Sequence, residues 1–397
     1  MLQVLCLNDN GMFQQEKRNV RFFRRSGNFQ KRYLVHSQLP DDNLERHAKI
    51  VKTGQNSPSV NYLEEAAEII RSGGLVVFPT ETVYGLGATA FSSSACLKIF
   101  QAKNRPPDNP LIVHVSSFRM LYDVVDCVPA DLIQKLRQVW PGPVTVLFNR
   151  SSRIPDTVTG GSGRVAVRMP ENILALSLIE RSGVPIAAPS ANISTRPSIS
   201  DSRYAIEELG DRVDYIFDCG PTPLGIESTI IDVSGDLPVL LRAGSKSVEE
   251  LRKIFGDMQV TDVARGLAES PVAITPGMKY RHYAPKKSLI LASSIETFLA
   301  ISSEERFRDT VTLIGSSQAC RMAKIPCISL GSEDNLQEVA SSVFSSFREL
   351  EKTGSRIGII MPFPEKGLGL AIMNRIRKAS SGIIENVSEL QNLIDAF

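Results

Sequence analysis

The feature that most constrains this chain is an apolar strand that runs directly into a cluster of hydroxyl and glycine residues. Residues 74–88 read GLVVFPTETVYGLGA, and residues 103–114 read KNRPPDNPLIVH. The run Leu75–Phe78, stopped by a proline, predicts a buried strand. Lys103 and Arg105 stand on a proline-stiffened loop, which suits a phosphate or a carboxylate. Together the two segments favour an anion site near a strand end over a plain turn and a solvated loop.

The composition predicts a two-domain globular protein. The chain has 397 residues, of which 42% are hydrophobic and 22% charged, enough for two separate cores. The net charge of +2 does not indicate a nucleic-acid binder, although a local basic patch stays open. No apolar run reaches the ~18–20 residues of a membrane span, so we expect a cytoplasmic protein without a membrane partner. The six cysteines form no CxxC pair and predict scattered buried thiols.

The order of strand and helix patterns divides the chain into four parts. Residues 1–58 are an extension rich in Lys and Arg, for which poor order, a transit peptide and a wrong start stay open. Residues 59–245 mix strands and helices without strict alternation, which predicts an α/β fold with a twisted mixed sheet. Residues 246–286 have the composition of a linker that could act as a lid. Residues 287–397 alternate regularly and predict a smaller parallel, Rossmann-like α/β domain. Within it, the glycine-rich segment 367–375 is expected to serve packing or interdomain docking.

The motifs resemble the YrdC-type domain of threonylcarbamoyl-AMP synthases. Beyond the two opening segments, four others fit the same family: SAN at 190–192, GIESTII at 225–231, LRAG at 241–244 and GMKYRHYAP at 277–285. The last is similar to the linker of the longer, two-domain form. The resemblance runs from about Ser59 to the C-terminus and implies a YrdC-like sheet followed by the smaller domain.

This resemblance implies an enzyme, an L-threonylcarbamoyladenylate synthase of the nucleotidyltransferase class. Its substrates would be L-threonine, bicarbonate or CO₂, and ATP carrying Mg²⁺, with no metal ligand from side chains. Its products would be threonylcarbamoyl-AMP and pyrophosphate. A downstream tRNA threonylcarbamoyl transferase complex would use the intermediate to make threonylcarbamoyladenosine in tRNA. Direct contact with tRNA stays open.

Motif positions assign the site residues in two sets. The residues implied for L-threonine are Thr82, His114, Arg168, Ser190 and Ser228. The residues implied for ATP are Lys103, Arg105, Asn109, Arg164, Asn192, Ser200, Arg242 and Tyr283. Thr80 and Tyr84 would shape the pocket. The strand pattern independently indicates that Arg168 points away from its valine neighbours, and an inward arginine needs an anion.

Three other functions compete with this interpretation. A YrdC-like domain with a basic concave surface could be a non-enzymatic module that binds tRNA or double-stranded RNA. A carbamoyltransferase similar to the hydrogenase-maturation proteins is a second alternative, but the chain lacks their zinc-finger and acylphosphatase-like segments. In the third, the C-terminal domain carries the function and the first domain is a scaffold. Whether His114 would be a base or only a hydrogen-bond partner is open.

Overall fold

The description of the fold rests on a computed structural model, and it covers most of the chain after residue 46. The described residues are 6–7, 13–14, 47–56, 58–270, 275–276 and 283–395. At the N-terminus, β1 (Cys6–Leu7) and β2 (Phe13–Gln14) pair as antiparallel strands. Most of the predicted N-terminal extension lies outside the described residues. So does the part of the predicted lid at 277–282.

A large mixed sheet forms the centre of the first domain. Its strands are β3 (Lys49–Lys52), β4 (Val76–Phe78), β5 (Gly85–Thr89), β6 (Ile112–His114), β7 (Val144–Asn149), β8 (Arg164–Arg168), β9 (Ile186–Ala187), β10 (Tyr215–Asp218), β11 (Thr229–Asp232), β12 (Val239–Arg242) and β13 (Gln259–Val260). They lie in the order β13-β12-β11-β7-β8-β6-β9-β5-β4-β10-β3. Parallel pairs such as β6 with β8 alternate with antiparallel pairs such as β7 with β8. The predicted mixed α/β sheet is therefore confirmed.

Helices cover this sheet, and several of them begin at a capping side chain. They are α1 (Val60–Arg71), α2 (Ser93–Lys103), α3 (Phe118–Val124), α4 (Ala130–Leu136), α5 (Asp156–Thr159), α6 (Ile173–Ser182), α7 (Ser202–Leu209), α8 (Val248–Phe255) and α9 (Asp262–Arg265). Asn172 caps α6 by accepting a hydrogen bond from the Ala175 amide, and Ser92 caps α2 in the same way. None of the helices in the described part of the chain is both long and apolar enough to cross a bilayer.

Three strands of the sheet differ from the sequence-based expectation, and one of them, β13, lies in the segment assigned to the linker and pairs in parallel with β12. Strand β5 occupies a glycine-rich stretch for which the sequence predicted no strand. A Cβ on Gly87 would lie 2.6 Å from Ile186 Cγ2 and 2.7 Å from a ring carbon of Phe78, so glycine is needed for the close strand packing. Strand β3 falls inside the segment assigned to the N-terminal extension, yet it pairs in parallel with β10 at the sheet edge. Backbone pairing with a distant strand orders this polar segment.

The C-terminal domain is a five-stranded parallel sheet with helices around it. Its strands are β14 (Ser288–Ala292), β15 (Val311–Gly315), β16 (Cys327–Ser329), β17 (Ile357–Ile360) and β18 (Gly382–Ile384), in the order β16-β15-β17-β14-β18. Its helices are α10 (Ile295–Ser302), α11 (Ser317–Met322), α12 (Leu336–Lys352), α13 (Gly369–Ala379) and α14 (Val387–Asp395). All four strand pairings are parallel, which confirms the predicted small parallel α/β domain.

One expectation about the cysteines was wrong. Cys320 and Cys327 form a disulfide between α11 and β16, with their Cα atoms 5.4 Å apart. Cys96 is a buried thiol, as expected, but Cys127 is exposed. The seven-residue spacing of the pair belongs to no motif. Only the turn from α11 into β16 brings the two side chains together.

Helix α13 docks the C-terminal domain onto the first domain. The Asn374 side chain donates a 2.9 Å hydrogen bond to the carbonyl oxygen of Ala264, and Arg375 pairs with Glu227. These contacts support the docking interpretation of the glycine-rich segment. They also bring α13 close to the site described next.

Candidate active site

A pocket enclosing about 700 Å³ of empty space, part of it open to solvent, lies where several strands of the large sheet end. It is bounded by the segment after β4, the ends of β6, β8 and β12, the loop after β9 and the approach to β11. Ten of the thirteen predicted site residues line it: Thr82, Lys103, Arg105, His114, Arg168, Ser190, Asn192, Ser228, Arg242 and Tyr283. Thr80 and Tyr84 also contribute to the wall.

Arg168 organises one side of the pocket. It ends β8 directly opposite His114 of β6, so the two side chains share a face of the sheet. Its Nη1 donates to Thr82 Oγ1 at 2.9 Å, and its Nε donates to the Gly142 carbonyl at 3.2 Å. Its Nη2 lies 2.6 Å from Glu81 Oε1 as an ion pair without good hydrogen-bond alignment. Arg168 is therefore a buried, oriented cation balanced by one carboxylate.

His114 enters the same pocket as a neutral ring. Burial, reinforced by the nearby charge of Arg168, lowers its pKa to about 3. Its Nδ1 is buried and has no hydrogen-bond partner among the described residues. A buried polar atom without a partner at a pocket wall is suited to hydrogen-bond a ligand.

Lys103 closes another side of the pocket from the end of α2. Its Nζ donates to the carbonyl oxygen of Ser190 at 2.5 Å and to that of Asn192. The Ser190 hydroxyl in turn donates to Asn192 Oδ1 at 2.5 Å. Burial, and then the charge of Arg105, hold the pKa of Lys103 well below its usual value. An anion in the pocket would restore the favourable charged form.

Arg242 and Ser228 form a third wall. Arg242 Nε donates to the Ser228 carbonyl at 3.1 Å, and its Nη2 donates to Ser228 Oγ at 3.0 Å. The Thr145 hydroxyl lies 2.8 Å from the same Oγ. Burial lowers the pKa of Arg242 to about 10. The fork of the guanidinium thus fixes the entry to β11 at the pocket edge.

Arg105 and Tyr283 complete the lining. Arg105 is half-buried, with Nη2 donating to the Pro110 carbonyl at 2.8 Å. Tyr283 is the linker residue that returns to the pocket, and it adopts a left-handed backbone at φ 71°. The next amide, that of Ala284, donates to the Thr195 carbonyl at 3.0 Å. A non-glycine residue held at positive φ indicates that the surrounding contacts specify this position.

Three predicted residues lie outside the lining. Asn109 is buried beside Arg105, with its side-chain oxygen lacking a partner among the described residues. Arg164 pairs with Asp232 at 2.8 Å near the other end of β8. Ser200 is buried, and its carbonyl oxygen accepts from the Thr222 amide at 2.8 Å.

Sequence reasoning missed a buried carboxylate in the pocket wall. Glu227 Oε1 accepts from Ser198 Oγ at 2.5 Å, and Oε2 accepts from Arg375 Nε at 2.9 Å. Burial alone would raise the pKa of Glu227, but Arg375 and Arg242 lower it to about 2. An acid beside Ile226 at the start of an apolar strand was the available signal. Nothing local marks Arg375, which lies 148 residues further along the chain.

The charges of the lining favour an anionic ligand. Among the described residues, four basic side chains and one carboxylate line the pocket, together with hydroxyl and amide groups. Such a set binds and orients anions and stabilises charge that develops between them. The fold and the pocket together define an α/β protein with a pocket suited to anionic ligands.

Comparison with known proteins identifies the family. A family model described as "Telomere recombination" matches residues 68–244, and one described as "Threonylcarbamoyl-AMP synthase, C-terminal domain" matches residues 246–381. The threonylcarbamoyl-AMP synthase of Pyrococcus abyssi is 42% identical over 323 residues, which are 79% of this chain and 93% of that protein. That of Bacillus subtilis is 38% identical and covers 83% of this chain and 96% of its own length. This chain belongs to the threonylcarbamoyl-AMP synthase family.

A solved structure agrees with this assignment. The crystal structure of P. abyssi Sua5 complexed with L-threonine has a TM-score of 0.78 and 39% identity, covering 85% of this chain and 99% of that chain. The resemblance, the fold class and the assignment to an enzyme that were predicted from the sequence are thereby confirmed.

Proposed function

We propose that this chain makes threonylcarbamoyl-AMP and pyrophosphate from L-threonine, bicarbonate or CO₂, and ATP in the pocket described above. One observation carries the proposal: three buried cations, Lys103, Arg168 and Arg242, converge with a neutral histidine on a single pocket. A pocket of this kind accommodates both an amino-acid carboxylate and a polyphosphate. Family membership supplies the identity of the reaction.

The side of the pocket around Arg168 is the proposed threonine site. The guanidinium would bind the α-carboxylate, since its fork matches two carboxylate oxygens. Thr82 is already held by Arg168 at 2.9 Å, so its hydroxyl lies beside that carboxylate. His114, Ser190 and Ser228 would contact the rest of the amino acid. Because burial lowers its pKa to about 3, His114 is a weak base, and the role proposed for it is a hydrogen bond to substrate.

The walls around Lys103 and Arg242 are the proposed ATP site. Lys103, Arg105 and Arg242 would bind phosphate oxygens, while Asn192 and Tyr283 would contact the nucleotide. Asn109 and Ser200 would take part only through a rearrangement of the surrounding loops. Arg164 would first have to leave its pair with Asp232.

The proposed chemistry joins one substrate to another. The threonine amine attacks the carbon of CO₂ or bicarbonate and forms a carbamate; with CO₂ an amine proton passes to solvent, and with bicarbonate water leaves. A carbamate oxygen then bonds to the α-phosphorus of ATP while the bond to pyrophosphate breaks. The arginines and Lys103 orient the two anions and offset the charge that develops between them.

The lining residues fit Mg²⁺ carried on the phosphates rather than by the protein. Both oxygens of Glu227, the carboxylate of the lining, already accept hydrogen bonds from Ser198 and Arg375. When bound to ATP, Mg²⁺ would neutralise charge on the departing pyrophosphate. The downstream tRNA threonylcarbamoyl transferase complex, direct tRNA contact and a cytoplasmic location stay predictions from the sequence.

Pyrophosphate release tests the proposed function. We would measure it from ATP and Mg²⁺ with and without L-threonine and bicarbonate, on wild type, Arg105→Ala and the control Arg153→Ala. Arg153 is exposed and pairs with Asp123 away from the pocket. We expect release to need both co-substrates, to fall by about 10²-fold in Arg105→Ala and to persist in the control.

The non-enzymatic alternative predicts a different result. A folded wild-type protein without threonine-dependent release, but with tRNA binding that weakens steeply with salt, would overturn the synthase proposal.

A further inference from the structure

Arg375 of the C-terminal domain is buried against the pocket of the first domain. Its side chain is fully inaccessible to solvent and lies on α13. Its Nε donates to Glu227 at 2.9 Å, and its Nη1 donates to the carbonyl oxygen of Ala243 and to Asn374 Oδ1. One guanidinium therefore contacts both the GIEST segment and the residue after Arg242.

These two contacts frame the Ser228–Arg242 wall of the pocket. Glu227 precedes Ser228, and Ala243 follows Arg242. Arg242 in turn bonds to the carbonyl and hydroxyl oxygens of Ser228. Arg375 thus fixes the chain on both sides of a wall that it does not itself line.

Tyr283 is held by the same cluster. Its ring centroid lies 5.6 Å from the Arg375 guanidinium carbon and 5.2 Å from the ring of Phe344 on α12. Its hydroxyl also hydrogen-bonds to Glu227. Two helices of the C-terminal domain therefore seat the linker residue that reaches the pocket.

Helix α12 packs on the same segment from a second direction. A Cβ on Gly225 would lie 2.3 Å from the Cα of Ser341, so the two backbones are in direct contact. The Gln337 side chain donates to the carbonyl oxygens of Pro223 and Leu224 at 3.2 and 3.3 Å. The C-terminal domain therefore holds the whole approach to Ser228.

The charges give Arg375 a second effect. Glu227 is a buried carboxylate near both Arg242 and Arg375, and Lys378 and Tyr283 are further titratable groups around it. Arg375 Nε donates directly to Oε2 of Glu227. The charge of Glu227 is therefore compensated by a residue that does not line the pocket. Without Arg375, the negative charge of Glu227 would be compensated mainly by Arg242. Arg242 would then interact less strongly with an anionic ligand.

We propose that Arg375 is a positioning residue for the nucleotide side of the active site, contributed by the C-terminal domain. It satisfies Glu227, which leaves Arg242 available to the phosphates, and it seats Tyr283. This inference rests on the proposed function, since it assigns Arg242 and Tyr283 to ATP.

Steady-state kinetics of pyrophosphate release test this role. We would compare wild type with Arg375→Gln, Arg375→Lys and the control Arg377→Gln. Arg377 lies on the same helix and also crosses to the first domain, donating to the Arg265 carbonyl at 3.0 Å, but it is remote from Glu227 in its contacts. We expect the KM for ATP to rise about tenfold or more in Arg375→Gln, with a smaller change in the KM for threonine. Arg375→Lys should recover part of the loss, and Arg377→Gln should match wild type.

The pH profile separates positioning from simple destabilisation. With Arg375 present, the pKa of Glu227 is about 2, so its charge does not change across the working range. In Arg375→Gln, burial still raises the pKa of Glu227, but of the two arginines only Arg242 still lowers it. The pKa of Glu227 should therefore be higher than in wild type. Protonated Glu227 no longer competes for Arg242, so the rise in the KM for ATP in Arg375→Gln should become smaller as the pH falls. Arg377→Gln should keep the wild-type profile.

Each outcome bears on one proposal. Equal KM for ATP and equal pH profiles in wild type and a folded Arg375→Gln would overturn the positioning role while leaving the synthase function intact. If Arg375→Gln does not fold, Arg375→Lys carries the test, and a wild-type KM for ATP in that variant overturns the role. Absence of threonine-dependent release in wild type itself would instead count against the proposed function.

Discussion

The two α/β domains use buried charge in different ways. In the first domain, the buried cations Lys103, Arg168 and Arg242 converge on one pocket. In the described part of the C-terminal domain, the buried charged side chains are Arg348 and Arg375, and each forms its ion pair with a carboxylate of the first domain.

This difference indicates that the buried cations of the two domains have different roles. Lys103 and Arg242 are buried and form no ion pair with a carboxylate among the described residues, which is costly unless a ligand supplies the counter-charge. Arg348 and Arg375 each have a carboxylate partner across the domain boundary, and these ion pairs fix one domain on the other. We infer that the C-terminal domain supports the pocket of the first domain through these pairs.

The largest effect is expected at Arg168. Arg168→Lys keeps a positive charge beside Glu81 but loses the planar fork that reaches Thr82. We expect kcat/KM for threonine to fall by about 10²-fold with little loss of stability. Threonine-dependent pyrophosphate release, together with thermal unfolding, measures both quantities.

The same substitution in the other domain is the matched control. Arg348→Lys also shortens a buried arginine but should leave the KM for threonine near the wild-type value. Similar kinetic losses in Arg168→Lys and Arg348→Lys would break the distinction between the two domains.

An intermediate effect, on stability rather than activity, is expected at Arg348. Its Nη1 donates to Glu208 at 2.6 Å, and its guanidinium lies 4.6 Å from the centroid of the Tyr204 ring. Arg348→Met leaves a buried carboxylate without its main partner, so the free energy of unfolding should fall by about 3 kcal/mol. Urea denaturation measures this change.

The exposed pair Arg203–Asp201 supplies a comparison. Arg203 is largely exposed, so Arg203→Met should change the free energy of unfolding by well under about 1 kcal/mol. An Arg348→Met variant as stable as Arg203→Met would show that the interdomain pair contributes no more than a surface pair.

The sequence predicted those parts of the fold that local patterns determine. Strand β4 was found because an apolar run marks it directly. Strand β5 was missed because its glycines carry no strand signal and are selected by the ring of Phe78. The edge strand β3 was missed because its order comes from pairing with β10. The domain boundaries remain predictions.

The site could be predicted only as far as its motifs reach. Motif positions predicted the buried cations and His114 as site residues, and all of them line one pocket. They also predicted Arg164 as a site residue. Its ion-pair partner Asp232 lies on another strand, so the motif around Arg164 could not predict this pair. The Glu227–Arg375 pair was missed because its members belong to different domains. Their contact is a property of the packed chain.

The smallest expected effect is proton uptake by Lys103 when ATP binds. It is also the most specific test of the comparison between the two domains. Burial holds the pKa of Lys103 well below its usual value, so part of its population is neutral without ligand at alkaline pH. A bound polyphosphate favours the charged form and should raise that pKa, so ATP binding should take up a fraction of a proton. Calorimetric titration with ATP at pH 8, in buffers of different ionisation enthalpy, measures this uptake.

Two variants identify the group that takes up the proton when ATP binds. Lys378 also has a pKa lowered to about 8, so Lys103→Met must abolish most of the uptake if Lys103 is its source. Lys98→Met, at an exposed position on the same helix, should leave the uptake unchanged. Uptake that persists in Lys103→Met would move the titrating group to Lys378, on the C-terminal domain. The first domain would then no longer hold all the charge that responds to the nucleotide.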